Sequence, residues 1–134
     1  MTAQAFTVPV EIRFADLDAY GHVNNALFFT YLETARVKLF QQHFGNFLEG
    51  SLMFLVVRSE CDYRQPITLN DPVYVTIHTD QVMRSRFDFC YRLHDGGDTT
   101  FATAKTTMAC YDPHLGKPVA LPPGMKKVFL DFHE

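Results

Sequence analysis

The sequence has no tryptophan, no excess of positive charge and no apolar run long enough to cross a bilayer. A bilayer span needs about 18–20 consecutive apolar residues, so no membrane span is expected. A net charge of −3 supplies no field to hold a nucleic-acid duplex by its phosphates, so no nucleic-acid partner is expected. Local basic spots remain, Arg84 with Arg86 and Lys126 with Lys127, and these could hold a small phosphorylated ligand. Met1 to Val8 lacks the basic start and long apolar stretch of a secretory signal. Cysteine is scarce: Cys61, Cys90 and Cys110 are odd in number, widely spaced and without a C-x-x-C pair. They read as reduced thiols inside strands of a cytoplasmic protein.

What is present fits one domain spanning residues 1–134. Hydrophobic residues make up 47% and charged residues 20%, which argues for a packed core and against disorder. Thirteen phenylalanines in so short a chain predict aromatic surface left over for a partner, most simply a second copy.

Alternation of Val8, Val10, Ile12 and Phe14 with polar residues predicts a first strand over Thr7–Phe14. Pro9 points to a sheet edge, because proline cannot donate to the ladder. A polar knot follows over Ala15–Asn24, with Gly21 allowing a turn and Asn24 or Asn25 able to cap a helix. The helix is expected over about Asn25–Phe44, apolar almost all round and therefore buried. Glu33 and Arg36 lie three apart on it and should be neighbours. Four strand-like runs come next, around Leu52–Tyr63, Val73–His78, Phe87–Leu93 and Phe101–Tyr111, with a hairpin signal at Asp95–Asp98. The tail from Pro113 reads as irregular chain. The expected class is α+β: one antiparallel sheet around one buried helix, with an edge inviting dimerisation.

Chemistry concentrates in the knot. If strand geometry persists, Asp16 and Asp18 point to one side and Leu17 to the other. The two acids could act as a base and its support, or could simply satisfy loop N–H groups. His22 could move protons near neutral pH, or bond a loop carbonyl. A calcium loop fails, because Tyr20 and Leu27 stand where oxygen ligands are required. A transition-metal site lacks a second histidine at ligand spacing, so no metal is expected. The start of the helix has free N–H groups and the positive end of the dipole. It could stabilise a carbonyl oxygen gaining charge, with an upstream acid activating water or attacking.

The run Arg13-Phe14-Ala15-Asp16-Leu17-Asp18-Ala19-Tyr20-Gly21-His22-Val23-Asn24-Asn25, followed by Tyr31-Leu32-Glu33-Thr34-Ala35-Arg36, resembles the hotdog-fold acyl-CoA thioesterases of the 4-hydroxybenzoyl-CoA thioesterase type. The resemblance implies a sheet wrapped round a central helix, paired into a homodimer or homotetramer with sites at the interface. It implies hydrolysis of acyl-CoA or acyl-carrier-protein thioesters without a cofactor, coenzyme A being part of the substrate. It assigns Asp18 as nucleophile or general base and the Asn25 N–H as the donor polarising the carbonyl. Asp16 becomes a supporting acid, and Tyr20, Gly21, His22 and Asn24 shape the loop. Arg84 and Ser85 fall where the coenzyme A arm passes. A non-catalytic acyl-CoA binding module and a hotdog dehydratase using His22 are the alternatives.

Overall fold

A computed structural model of the chain describes residues 5–47 and 50–133. Part of the Met1–Val8 stretch and the last residue of the tail, Glu134, lie outside them. Strands β1 (Phe6–Val10), β2 (Met53–Tyr63), β3 (Val73–Asp80), β4 (Arg86–His94), β5 (Thr100–Asp112) and β6 (Lys117–Pro118) form one sheet. The order is β1-β3-β4-β5-β2, with β6 beside β5, and every pairing is antiparallel. Helix α1 (Leu27–His43) lies on its inner face. This is the expected antiparallel sheet around one long helix.

The alternation explains the layering. Val75, Ile77, Phe87, Phe89 and Leu93 point inward and pack with Phe28, Leu32 and Leu39 of α1. Each such buried side chain contributes about 1.5–3 kcal/mol relative to exposure. Pro9 sits on edge strand β1, opposite Tyr74, where its missing N–H costs no ladder bond within the sheet.

Four expectations are corrected. Strand β1 ends at Val10, and Phe14–Asp16 forms a 3-10 turn, leaving Phe14 on the surface. Asp16 causes the departure: its carboxylate accepts the Arg13 N–H at 3.1 Å and its own N–H donates to the Arg13 carbonyl at 2.9 Å. Helix α1 begins at Leu27, two residues after Asn25, because Asn24 closes a turn ahead of it. The tail is ordered: β6 pairs with β5, and a short helix α2 (Met125–Asp131) buries Met125 and Phe129 on the core. Their i, i+4 spacing was hidden behind Pro122 and Pro123. Lastly, α1 is not sheathed all round. Val37 is 46% exposed, and it faces the same seam as the open residue Val56 of edge strand β2.

One buried histidine ties three strands. The His94 Nδ1 accepts the Gly96 N–H at 3.1 Å, so the ring is neutral with its proton on Nε2. That nitrogen lies 2.8 Å from the Thr76 hydroxyl, which meets the Thr7 hydroxyl at 2.8 Å. Burial, and then Arg92, hold its pKa below the ordinary value, against a smaller opposing pull from Asp95. The folded state therefore resists a proton that the unfolded chain accepts. Stability from this site is full above the unfolded histidine pKa, about 6.5, and declines as pH falls below it. Urea unfolding of wild type and His94→Gln should show a gap at pH 7.5 that narrows by pH 5.5. A gap independent of pH would contradict this.

Candidate active site

The knot folds as a tight loop because Asp18 organises it. The Asp18 Oδ1 accepts the N–H groups of Tyr20 (2.9 Å) and His22 (3.2 Å). The Asp18 N–H donates to the His22 carbonyl at 2.7 Å, and the Gly21 N–H donates to the Asp18 carbonyl at 3.0 Å. Gly21 has φ +78° in open space, so backbone conformation, not crowding, calls for glycine there. Leu17 bridges to Val23 and His22 to Thr68, pinning the loop to the chain ahead of β3. The Tyr20 side chain points into solvent. The Asp18 Oδ2 has no partner among the described residues.

Asp18 lines a cleft of ≈ 220 Å³, whose walls also include His22, Asn25, Phe28 and Tyr63. Asn24 prepares the cleft's other side. Its Oδ1 accepts the Ala26 N–H at 3.0 Å, and its carbonyl accepts the Leu27 N–H at 2.9 Å. The Asn25 carbonyl accepts the Phe28 N–H at 3.3 Å. The Asn25 N–H has no partner among the described residues. Two residues with an uncommitted polar group, Asp18 with its Oδ2 and Asn25 with its N–H, thus line one cleft at the positive end of α1.

Asp16 does not share that face, contrary to the expectation from alternation, because the 3-10 turn rotates it away. It is 2% exposed and fully engaged. Its Oδ2 accepts the Tyr31 hydroxyl at 2.8 Å, and its Oδ1 accepts Arg13 Nε at 3.1 Å and Nη2 at 2.9 Å. Burial alone would raise its pKa, but the Arg13 N–H, the Tyr31 hydroxyl and the Arg13 guanidinium together hold it below the usual carboxylate value. Asp16 is thus an anchor between the loop and α1. It borders a separate cavity of ≈ 630 Å³ beside Arg13, Thr34 and Lys38, which is larger than the Asp18 cleft but lacks Asp18 and Asn25. Asp16→Ala should lower unfolding free energy by about 2–3 kcal/mol, since the buried Tyr31 hydroxyl loses its acceptor. In wild type the contribution is present above the unfolded carboxyl pKa, about 3.9, and is lost as pH falls through the depressed folded value. Denaturant unfolding of both proteins at pH 7 and pH 3 checks both statements.

The remaining candidates are spread out. Arg36 is buried on α1, with Nη1 donating to the Tyr91 hydroxyl at 3.3 Å. Glu33 lies 4.0 Å from Arg36 Nη2 but is 67% exposed, so this is a weak pair. Both border a trough of ≈ 520 Å³ between α1 and β2, otherwise lined mostly by apolar side chains such as Phe40, Phe54 and Val56. Arg84 and Ser85 are not brought to Asp18 within the chain. The Ser85 carbonyl accepts the Cys110 N–H, and Cys110 pairs with Phe54 at the start of β2. Asp18 lies at the other end, beside Tyr63, and Phe54 to Tyr63 spans roughly 30 Å of strand. Reading the sequence missed Tyr63 and Phe28 as cleft walls. Their edge-on contact, at 4.9 Å between ring centroids, joins β2 to α1 across 35 residues and leaves no local signal.

Among the described residues no group of three His, Cys, Asp or Glu side chains is placed to hold a metal ion. No described helix is long and apolar enough to cross a membrane.

Known proteins similar to this chain include thioesterases. The acyl-CoA thioester hydrolase YbgC of Escherichia coli O6:H1 is 27% identical over 139 aligned residues, covering 100% of both chains. A thioesterase from Thermus thermophilus, crystallised with coenzyme A and Zn, superposes with a TM-score of 0.80 at 35% identity, covering 92% of this chain and 95% of that one. A 1,4-dihydroxy-2-naphthoyl-CoA thioesterase from Synechocystis superposes with a TM-score of 0.84 at 21% identity over 96% and 97%, a likeness of fold. The fold is the hotdog. The model of the thioesterase-like superfamily matches residues 12–129, and the chain belongs to that family.

Proposed function

We infer that the protein hydrolyses acyl-CoA thioesters to a free acid and coenzyme A, with Asp18 as the reacting acid. One observation carries this reading: Asp18, with an uncommitted Oδ2, and Asn25, with an unpartnered N–H, line the same cleft. The thioester carbonyl accepts from Asn25, which strengthens as negative charge gathers on that oxygen. Asp18 either takes a proton from water, which adds to the carbonyl carbon, or adds itself to form an anhydride that water then opens. In both routes the C–S bond breaks and the thiolate of coenzyme A leaves and is protonated. Label in Asp18 after a single turnover in ¹⁸O-water marks the anhydride route opened by water at the Asp18 carbonyl, since the general-base route never labels Asp18. The family membership, the YbgC relatives and the coenzyme A complex of the Thermus protein support the substrate class.

The working unit in this reading is a dimer made through β2. That strand is an edge, eleven residues long, with Met53, Leu55, Val56 and Val57 open. Such an edge is a template for pairing. A twofold axis makes the two copies of β2 antiparallel, setting the Tyr63 end of one beside the Phe54 end of the other. Arg84 and Ser85 of the partner subunit then approach the Asp18 cleft, where they can meet the phosphates of coenzyme A. The apolar trough along β2 suits the acyl chain. The reading is tested by thiol release over short, long and aromatic acyl-CoAs. Release with at least one class, absent in Asp18→Asn, is expected. Tight binding with no release across the panel would favour a binding module instead.

A further inference from the structure

We propose that Tyr63 is a positioning residue that aims the Asn25 N–H at the thioester oxygen; this rests on the hydrolytic reading above. The Tyr63 hydroxyl donates to the Asn25 carbonyl at 2.9 Å. The same carbonyl receives only a longer bond, 3.3 Å, from Phe28 N–H. On the other side, the Asn24 N–H donates to the Asp16 carbonyl at 2.9 Å, and the Asn24 side chain and carbonyl hold Ala26 and Leu27. Residues 24 and 25 are therefore tied at each polar backbone group but one. The group left over is the Asn25 N–H, beside Asp18.

Among these ties Tyr63 alone reaches Asn25 from the sheet. Asn25 precedes the first residue of α1, and helix ends fray when held only by their own turn. The phenol brings a tie from β2, and its ring is located by the edge-on contact with Phe28 in the first turn of the same helix. Burial, and then the neighbouring Cys61, raise the Tyr63 pKa, so the phenol remains a protonated donor throughout the neutral range. A donor that matters mainly to a developing oxyanion contributes to kcat more than to ground-state binding. Loosening it therefore shows in kcat while KM stays in place.

Tyr63→Phe, which removes one hydroxyl and keeps the ring, is expected to lower kcat about tenfold, less than the roughly 10²–10³-fold loss of an oxyanion donor itself. KM should remain within about twofold, and the pH profile of kcat should not move across the neutral range, because the phenol that is removed does not titrate there. Phe28→Leu, which keeps the hydroxyl but unseats the ring, should give a smaller fall in kcat with the same unchanged KM. An unchanged kcat in Tyr63→Phe would overturn the proposal. So would a raised KM with kcat kept, which would make Tyr63 a substrate contact, or a shifted pH profile, which would make it a proton donor. A melting temperature lowered in step with activity would also count against positioning. If wild type turns over and Tyr63→Phe matches it, only this inference fails. If wild type releases no thiol from any acyl-CoA, the hydrolytic reading fails and this one with it.

Discussion

Asp18→Asn is expected to lower kcat by about 10²–10⁴-fold, the range for losing a positioned base, with little change in the folded state. Asparagine keeps the Oδ1 that accepts the Tyr20 and His22 N–H groups, so the loop retains its shape. It replaces the uncommitted Oδ2 with an amide nitrogen, on a residue that lines the cleft. The loss should therefore fall on kcat, and KM should move little. Asp18→Ala removes both oxygens and adds a loop defect: two N–H groups lose their acceptor, at a cost of about 1–2 kcal/mol. Comparing the two by steady-state kinetics and thermal melting separates chemistry from architecture. Equal activity of Asp18→Asn and wild type would remove Asp18 from the mechanism.

The second large effect concerns β2. A double change, Val56→Lys with Val57→Lys, places two charges on a strand edge where both positions are open in the single chain. The isolated fold should tolerate them, because neither side chain is in the core. A paired edge should not, because both ammonium groups would be desolvated between two copies. Sedimentation is expected to show the mass halved relative to wild type. Turnover is expected to fall at least about 10²-fold, because Arg84 and Asp18 sit at opposite ends of β2 and only a second copy brings such a pair together. A variant that is monomeric yet fully active would show that one chain carries the whole site.

Much of this molecule was legible from its residues, and the failures have a common cause. The strands β3 and β4 followed from period-two alternation, and α1 from its apolar stripe, because burial on one face leaves that trace in the sequence, whereas β2 was legible from an apolar run that then alternates. The end of β1 was not, because the Asp16 carboxylate, accepting from the Arg13 N–H and guanidinium, overrode an alternation that continued through Phe14. The same turn sent Asp16 and Asp18 to different cavities, where alternation alone had put them on one side. Helix α2 was obscured by the prolines ahead of it, although Met125 and Phe129 carried its stripe. Asp18, His22 and Asn25 line one cleft. Tyr63 was invisible because its partner, Asn25, is 38 positions away and accepts through its backbone carbonyl. The distance between Arg84 and Asp18 is a property of strand order, which local patterns do not encode.

The central claim is that this chain breaks the C–S bond of an acyl-CoA. Product analysis tests it most directly: wild-type protein is incubated with a panel that includes crotonyl-CoA, and the acids and coenzyme A species are separated and quantified. Free acid and free coenzyme A in equal amounts, formed by wild type and not by Asp18→Asn, are predicted for at least one acyl group. A hydrated acyl-CoA such as 3-hydroxybutyryl-CoA, with the thioester intact, would make the protein a hydratase, and full recovery of every acyl-CoA would leave it a binder; either result would contradict the claim.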